Sequence, residues 1–196
     1  MLSLKTIQKE KLKRWIKSIS FLPFFSVKNA LMAKSKISKL SILTEFDVYN
    51  SAKDLDKKDA ELLLAAQKMV KTAHAPYSEF HVGAAVLLEN GKIVTGNNQE
   101  NAAYPSGLCA ERVAIFYASA QYPNVAVKAV AVAVKSKNMV ISEPLSPCGG
   151  CRQVIAEYEN KFEKPIRIIM SGEKGQIYIA KSIESLLPLM FSKKYL

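Results

Sequence analysis

Apolar residues recur with two different periods along this chain, and the switches between them mark its elements. Across residues 51–73, Leu55, Leu62, Leu63, Ala66, Met69 and Val70 follow helical spacing, with Asp54 or Asp56 placed to cap the first turn. At Phe80 the period drops to two: Phe80, Val82, Ala84, Val86 and Leu88 alternate with His81, Gly83, Ala85 and Leu87. Glu89-Asn90-Gly91 predicts a turn, and residues 92–96 return as the second strand of a hairpin. Pro105-Ser106-Gly107 predicts the opening of a helix reaching about Ala120. Residues 125–134 are apolar nearly throughout, as in a strand covered on both faces. A second helix is expected over 148–160, strands over 165–170 and 176–180 around a Gly172/Gly175 turn, and a short helix over 182–187. Helices alternating with strands predict an α/β fold of three layers, α/β/α, around a central mixed five-stranded sheet.

Composition adds a boundary. The 196 residues carry a net charge of +11, but residues 1–40 hold nine lysines and one arginine against the single acid Glu10. That is +9, which leaves only +2 for the rest of the chain. A near-balanced main region argues against a groove that tracks nucleic-acid phosphates. No apolar run approaches the ~18 residues of a membrane span. The chain therefore divides into a basic extension, 1–40, and a domain, 41–196. The extension lacks a good secretory cleavage site, and it is lysine-rich where organellar transit peptides are arginine-rich. The favoured reading is a disordered basic tail, or upstream sequence outside the functional protein with Met32 as the real start. A cytoplasmic location is expected, with export or an organelle as the alternatives.

The chemistry sits in Cys109-Ala110-Glu111-Arg112 and Pro147-Cys148-Gly149-Gly150-Cys151-Arg152, which contain all three cysteines. A lone C-x-x-C is weak: a redox pair, half of a structural zinc site and two buried apolar thiols are all compatible with it. Three cysteines cannot close an all-thiolate tetrahedral site, and they leave an odd thiol if paired as disulfides. His74 and His81 lack recognisable ligand spacing; His74 is expected at a helix end and His81 on a strand or at the surface. Three thiolates on one Zn²⁺ leave a fourth position open, the layout of a catalytic site. C-x-E joined to P-C-x-x-C matches the zinc deaminase signature, in which the glutamate carries protons and is not a ligand.

Cys109 is expected at the start of one helix and Cys148 and Cys151 on the first turn of the next, where free N–H groups and the helix dipole favour thiolate. Zinc with three thiolates carries a net charge of about −1, which weakens it as a Lewis acid. Arg112 and Arg152 are candidates for N–H···S bonds that draw charge off the sulfurs. An ordinary ion pair is the alternative for each arginine, and a solvated first-turn acid for Glu111.

Beyond these motifs, residues 75–189 resemble the small, homotetrameric, three-cysteine cytidine deaminases. The resemblance is carried by Ala75-Pro76-Tyr77-Ser78-Glu79-Phe80, Val82-Gly83-Ala84-Ala85, Asn98-Gln99-Glu100-Asn101-Ala102, Tyr104 through Arg112, and Pro147 through Gln153. It implies hydrolytic deamination of cytidine and 2′-deoxycytidine in pyrimidine salvage, with one zinc per subunit and Glu111 moving protons to N3 and to the departing amine. It also implies that Asn98 and Glu100 bind the ribose, that the Ala110 N–H meets the base carbonyl, and that Phe80 lies beside the pyrimidine. Tyr104 and Phe191 resemble residues that reach a neighbouring subunit's pocket. Residues i and i+2 of an extended segment point the same way, so Asn98 and Glu100 can share one ligand. A carboxylate at the 3′-hydroxyl would repel a 3′-phosphate, which predicts free nucleosides over polynucleotides. The competing readings are the same scaffold acting on another aminopyrimidine substrate, and a zinc-binding module without catalysis. Asn97 departs from the family, which often has a small residue or cysteine there.

Overall fold

The computed structural model describes residues 37–196, and the readings made for residues 1–36 fall outside the described residues. A compact unit spans Ile42–Leu196. Its sheet contains β1 (Asp47–Tyr49), β2 (Phe80–Leu88), β3 (Ile93–Asn97), β4 (Val127–Ser136), β5 (Arg167–Ser171) and β6 (Ile177–Ala180), in the order β1-β6-β5-β4-β2-β3. Among the strands of the described residues, β4 and β5 pair in parallel and the remaining pairs are antiparallel. The helices are α1 (Lys57–Val70), α2 (Ala110–Gln121) and α3 (Gly149–Phe162), with α3 in the crossover that the parallel pair requires. The mixed three-layer architecture agrees with expectation, but the sheet has six strands, not five. The extra strand, β1, is three residues long and too short to show alternation.

Strand β4 explains the layering. Its residues Val130, Val132 and Val134 join one core with Ile115 and Ala118 of α2 and Ile155 of α3. The intervening Ala129, Ala131 and Ala133 face the opposite core, beneath Leu62, Leu63 and Ala66 of α1. Each fully buried leucine or isoleucine in these cores contributes roughly 1.5–3 kcal/mol. Small residues bring the helices close to the sheet. A Cβ on Gly83 would lie 2.1 Å from the Ala66 carbonyl of α1, and one on Gly96 would lie 2.6 Å from the Ala114 nitrogen of α2. The two glycines serve opposite faces, since Gly83 pairs with Asn97 and Gly96 with Ala84 across the hairpin.

Helix α1 begins where Asp56 accepts a hydrogen bond from the Asp59 N–H at 2.9 Å. Asp54 instead caps the preceding 3₁₀ turn with Ser51. The expected opening of α2 at Pro105 is corrected. Tyr104–Ser106 form a separate 3₁₀ turn, and the helix begins at Ala110. The cause is a pair of 2.9 Å backbone bonds between Gln99 and Leu108, which holds Leu108 extended until the next residue. The helix expected over 182–187 contracts to one 3₁₀ turn, Ile183–Ser185. His74 does not cap α1; its backbone bridges the 98–100 segment, donating to the Asn98 carbonyl and accepting from the Glu100 N–H.

Candidate active site

Helices α2 and α3 pack on the same sheet face, and their N-termini converge. Cys109 is the N-cap of α2 and Cys148 the N-cap of α3, with Cys151 one turn further along. The Cys109 and Cys148 sulfurs lie 3.7 Å apart, those of Cys148 and Cys151 3.5 Å apart, and all three within 4.8 Å of one another. Tetrahedral ligation with Zn–S bonds of ~2.3 Å places sulfurs about 3.8 Å apart, so the trio fits zinc. Neither histidine belongs to this cluster, the group of metal-ligating type found among the described residues.

The electrostatics favour a partly ionised trio. Hydrogen bonds from Cys151 and Arg112 outweigh the cost of burial and bring the Cys109 thiol down to about 5. Cys151 is pushed up, by its hydrogen bond to Cys109, by burial and by the nearby Glu111 carboxylate. Both cysteine N-caps lack a side-chain capping bond, so their sulfurs remain available beside the free N–H groups of the first turns. Arg112 Nη2 donates to Cys109 Sγ at 3.5 Å. Arg152 does not reach a sulfur: it donates to the Pro147 carbonyl (2.7 Å), the Leu186 carbonyl (2.8 Å) and Ser146 Oγ (2.9 Å). Its guanidinium therefore braces the loop leading into Cys148. The expected N–H···S role of Arg152 is replaced by this one, because three nearer oxygens use its donors.

Glu111 is on the first turn of α2 and only 4% exposed. Burial, aided by the Cys109 charge, raises its pKa above the usual carboxyl range. Such a group holds and passes on a proton more readily than a solvated glutamate. It opens onto a cavity of about 370 Å³ whose walls include Phe80, Asn98, Glu100, Cys109, Ala110 and Cys148. An adjoining hollow of about 430 Å³ shares Ser78, Asn98, Glu100 and Cys109 and extends past Tyr77, Tyr104 and Arg112. Ala110 is the first residue of α2, where backbone N–H groups have no intrahelical partner.

The fold holds Asn98 and Glu100 in different ways. The Asn98 amide is tied to β2, accepting from the Val82 N–H at 2.7 Å and donating to the Phe80 carbonyl at 2.9 Å. Glu100 accepts from the Tyr77 N–H (2.9 Å), the Ser78 N–H (3.3 Å) and the Ser78 hydroxyl. Burial alone would raise its pKa, but these three donors and His74 hold it below the usual value. On the opposite face, Asn97 Nδ2 donates to Thr72 Oγ1 (2.9 Å) and Gln99 Nε2 to Asn97 Oδ1 (2.5 Å). That polar cluster fixes the extended backbone from the side away from the cavity.

Tyr104 lines the adjoining hollow but not the cavity at Glu111, and Phe191 lines neither. Tyr104 is exposed and packs edge-on against Tyr77 at 6.3 Å. Phe191 is exposed and stacks on Tyr195 at 5.8 Å, while its carbonyl accepts from Gln153 Nε2. The sequence reasoning missed Ser78. Its signal was a hydroxyl two residues before Phe80, the spacing at which a serine caps a backbone N–H. Ser78 Oγ does accept from the Phe80 N–H, at 3.1 Å.

Comparison with known proteins places relatives beside this geometry. Residues 56–163 match the cytidine and deoxycytidylate deaminase zinc-binding region. A cytidine deaminase of Sporosarcina psychrophila is 42% identical over 137 residues, covering 69% of this chain and 93% of the relative. A probable cytidine deaminase of Dictyostelium discoideum is 37% identical over 136 residues, covering 66% and 81%. The crystal structure of cytidine deaminase from Burkholderia pseudomallei superposes with a TM-score of 0.57 at 36% identity, covering 67% of this chain and 97% of that one. That of Mycobacterium tuberculosis gives 0.53 at 30%, covering 71% and 99%.

Proposed function

This chain belongs to the cytidine and deoxycytidylate deaminase family, and we propose that it hydrolyses cytidine and 2′-deoxycytidine to the corresponding uridines and ammonia. The observation that carries the reading is the meeting of three cysteine sulfurs, all within 4.8 Å, with a buried glutamate, at a nucleoside-sized cavity that Cys109, Cys148 and Glu111 line. Zinc is the metal, one ion per subunit. Cys109, Cys148 and Cys151 would hold it, and when bound it supplies a Lewis acid that lowers the pKa of water toward ~7.

The chain's own residues account for the remaining chemistry. Glu111 takes a proton from the attacking water and passes it to N3 of the pyrimidine as the C4–O bond forms. It takes the second proton and delivers it to the exocyclic amine. The C4–N bond then breaks and ammonia leaves, so one carboxylate serves as base and acid in turn. The Ala110 N–H receives the base carbonyl, Phe80 covers the ring, and Asn98 and Glu100 hold the sugar. The Glu100 negative charge disfavours a 3′-phosphate, which selects free nucleosides over polynucleotides. Arg112 draws electron density from Cys109, and Arg152 keeps Pro147 and Cys148 in place.

A homotetramer in which Tyr104 and Phe191 reach neighbouring sites completes the proposal. It is supported by the exposure of both rings and of Phe116 and Tyr117 on α2, and by Arg112 Nε, which is buried without a partner among the described residues. Residues 41–196 form the catalytic domain in this reading. A cytoplasmic role in pyrimidine salvage suits a site built on three free thiols; among the described residues, no helix is long and apolar enough to cross a membrane. The test is ammonia release from cytidine, deoxycytidine, cytosine and oligonucleotides, with and without a chelator. Chelator-sensitive release from the two nucleosides supports the proposal, and faster release from oligonucleotides overturns it.

A further inference from the structure

Glu100 does not stand free in the cavity: among the described residues, the hydrogen bonds its carboxylate receives come from residues 77 and 78. One oxygen accepts the Tyr77 and Ser78 N–H groups, and the other accepts the Ser78 hydroxyl. A serine hydroxyl has one proton to give, and its direction depends on what its oxygen accepts. Ser78 Oγ accepts the Phe80 N–H at 3.1 Å, which leaves its proton to point at Glu100. The turn itself is pinned from outside. Glu79 sits in the left-handed region at φ 54°, a costly state for a non-glycine residue. It is held there by Lys137, whose N–H donates to the Glu79 carbonyl and whose Nζ pairs with its carboxylate at 2.8 Å. Asn138 Nδ2 also donates to the Ser78 carbonyl, at 3.4 Å. Ser78 lines both the catalytic cavity and the adjoining hollow.

We propose that Ser78 is a positioning residue for nucleoside recognition: its hydroxyl, fixed by the Phe80 N–H, aims the Glu100 carboxylate at the sugar 3′-hydroxyl. This rests on the proposed deaminase reading, and it adds a residue that acts through Glu100. Without the Ser78 hydroxyl the carboxylate keeps only backbone donors on one oxygen and swings about that anchor. A substrate lacking the 3′-hydroxyl is indifferent to that loss, whereas a residue that merely kept the loop folded would affect both substrates alike.

The experiment compares full-chain, zinc-loaded wild type with Ser78→Ala, using cytidine and 3′-deoxycytidine. The expected result is a KM for cytidine raised roughly tenfold, the scale of one hydrogen bond to a charged group. kcat should change much less, and the two proteins should differ by less than about twofold in KM for 3′-deoxycytidine. Ser78→Thr keeps the hydroxyl and should recover most of the loss. Equal KM increases for both substrates, or an unchanged KM for cytidine, would overturn the proposal. Calorimetric binding of uridine and 3′-deoxyuridine reads the same ratio without turnover, so absence of deamination counts against the enzymatic reading and not against Ser78. If Ser78→Ala fails to fold, Ser78→Cys, with a weaker donor of similar size, reads the same discrimination.

Discussion

Gly96→Ala places a methyl group between the sheet and the helix that carries Glu111. An added Cβ would lie 2.6 Å from the Ala114 nitrogen, 2.9 Å from the Ala110 carbonyl and 3.0 Å from Val113 Cγ1, whereas ordinary contact begins near 3.4 Å. The first two atoms are helix backbone and cannot rotate away. Relief therefore requires α2 to move out by about 0.8 Å, the shortfall at Ala114, with an overpacking cost of roughly 1–3 kcal/mol. Ala110 lies between Cys109 and Glu111, so the shift moves the proposed ligand and the proposed proton carrier together relative to Phe80 on β2 and Asn98 just after β3. A misplacement near 1 Å at a reacting centre costs up to about 100-fold, and kcat/KM should fall by about 10- to 100-fold. The assay pairs steady-state ammonia release with thermal unfolding and zinc content. Gly83→Ala is the control: it strikes the Ala66 carbonyl at 2.1 Å on the opposite face, so it should lower stability more and activity per folded molecule less. A Gly96→Ala protein with wild-type Tm and kcat/KM within twofold would refute the claim that this close approach sets the site.

Other perturbations separate the remaining roles. Glu111→Gln should keep zinc and fold but lose at least about 10³-fold in kcat; near-normal turnover measured beside metal content would remove Glu111 from its role. Glu100→Ala should raise KM for cytidine by roughly tenfold or more without changing zinc stoichiometry, and unchanged nucleoside binding would reject the sugar assignment. Arg112→Ala should weaken zinc retention in chelator competition by about 10-fold or more. Glu159 accepts from the Ile166 and Ile183 N–H groups and from the Ser182 hydroxyl, and burial raises its pKa above the ordinary 4.5. The fold therefore favours its protonated form, and that contribution to stability is complete below 4.5 and lost as pH rises through the raised value. The Tm advantage of Glu159→Gln over wild type should grow from pH 4 to pH 7, and parallel Tm curves would contradict the assignment.

What the sequence made legible was what depends on short-range spacing. The two-residue alternation from Phe80, the turn at Gly91 and the apolar run through β4 all predict elements that the structure contains. The cysteine spacing likewise predicts two helix N-termini meeting around a metal. Features set by distant partners were not legible. Pro105 reads as a helix start, yet the bridge between Gln99 and Leu108 delays α2 to Ala110. β1 exists because the edge of β6 is available to Asp47–Tyr49, and three residues carry no periodicity. Arg152 and Arg112 look equivalent in sequence, each following a ligand motif. Only the fold shows that Leu186 and Ser146 claim the first while Cys109 claims the second. Ser78 escaped for the same reason: its importance lies in Glu100, twenty-two residues away.

Zinc K-edge absorption on the purified, substrate-free protein examines the point from which the chemistry follows. The expected spectrum has three sulfur scatterers at about 2.3 Å and one lighter scatterer at about 2.0 Å, with zinc near one equivalent per chain. A shell of sulfur and imidazole scatterers with no position left for water, or protein isolated without zinc and unable to bind it, would contradict the account.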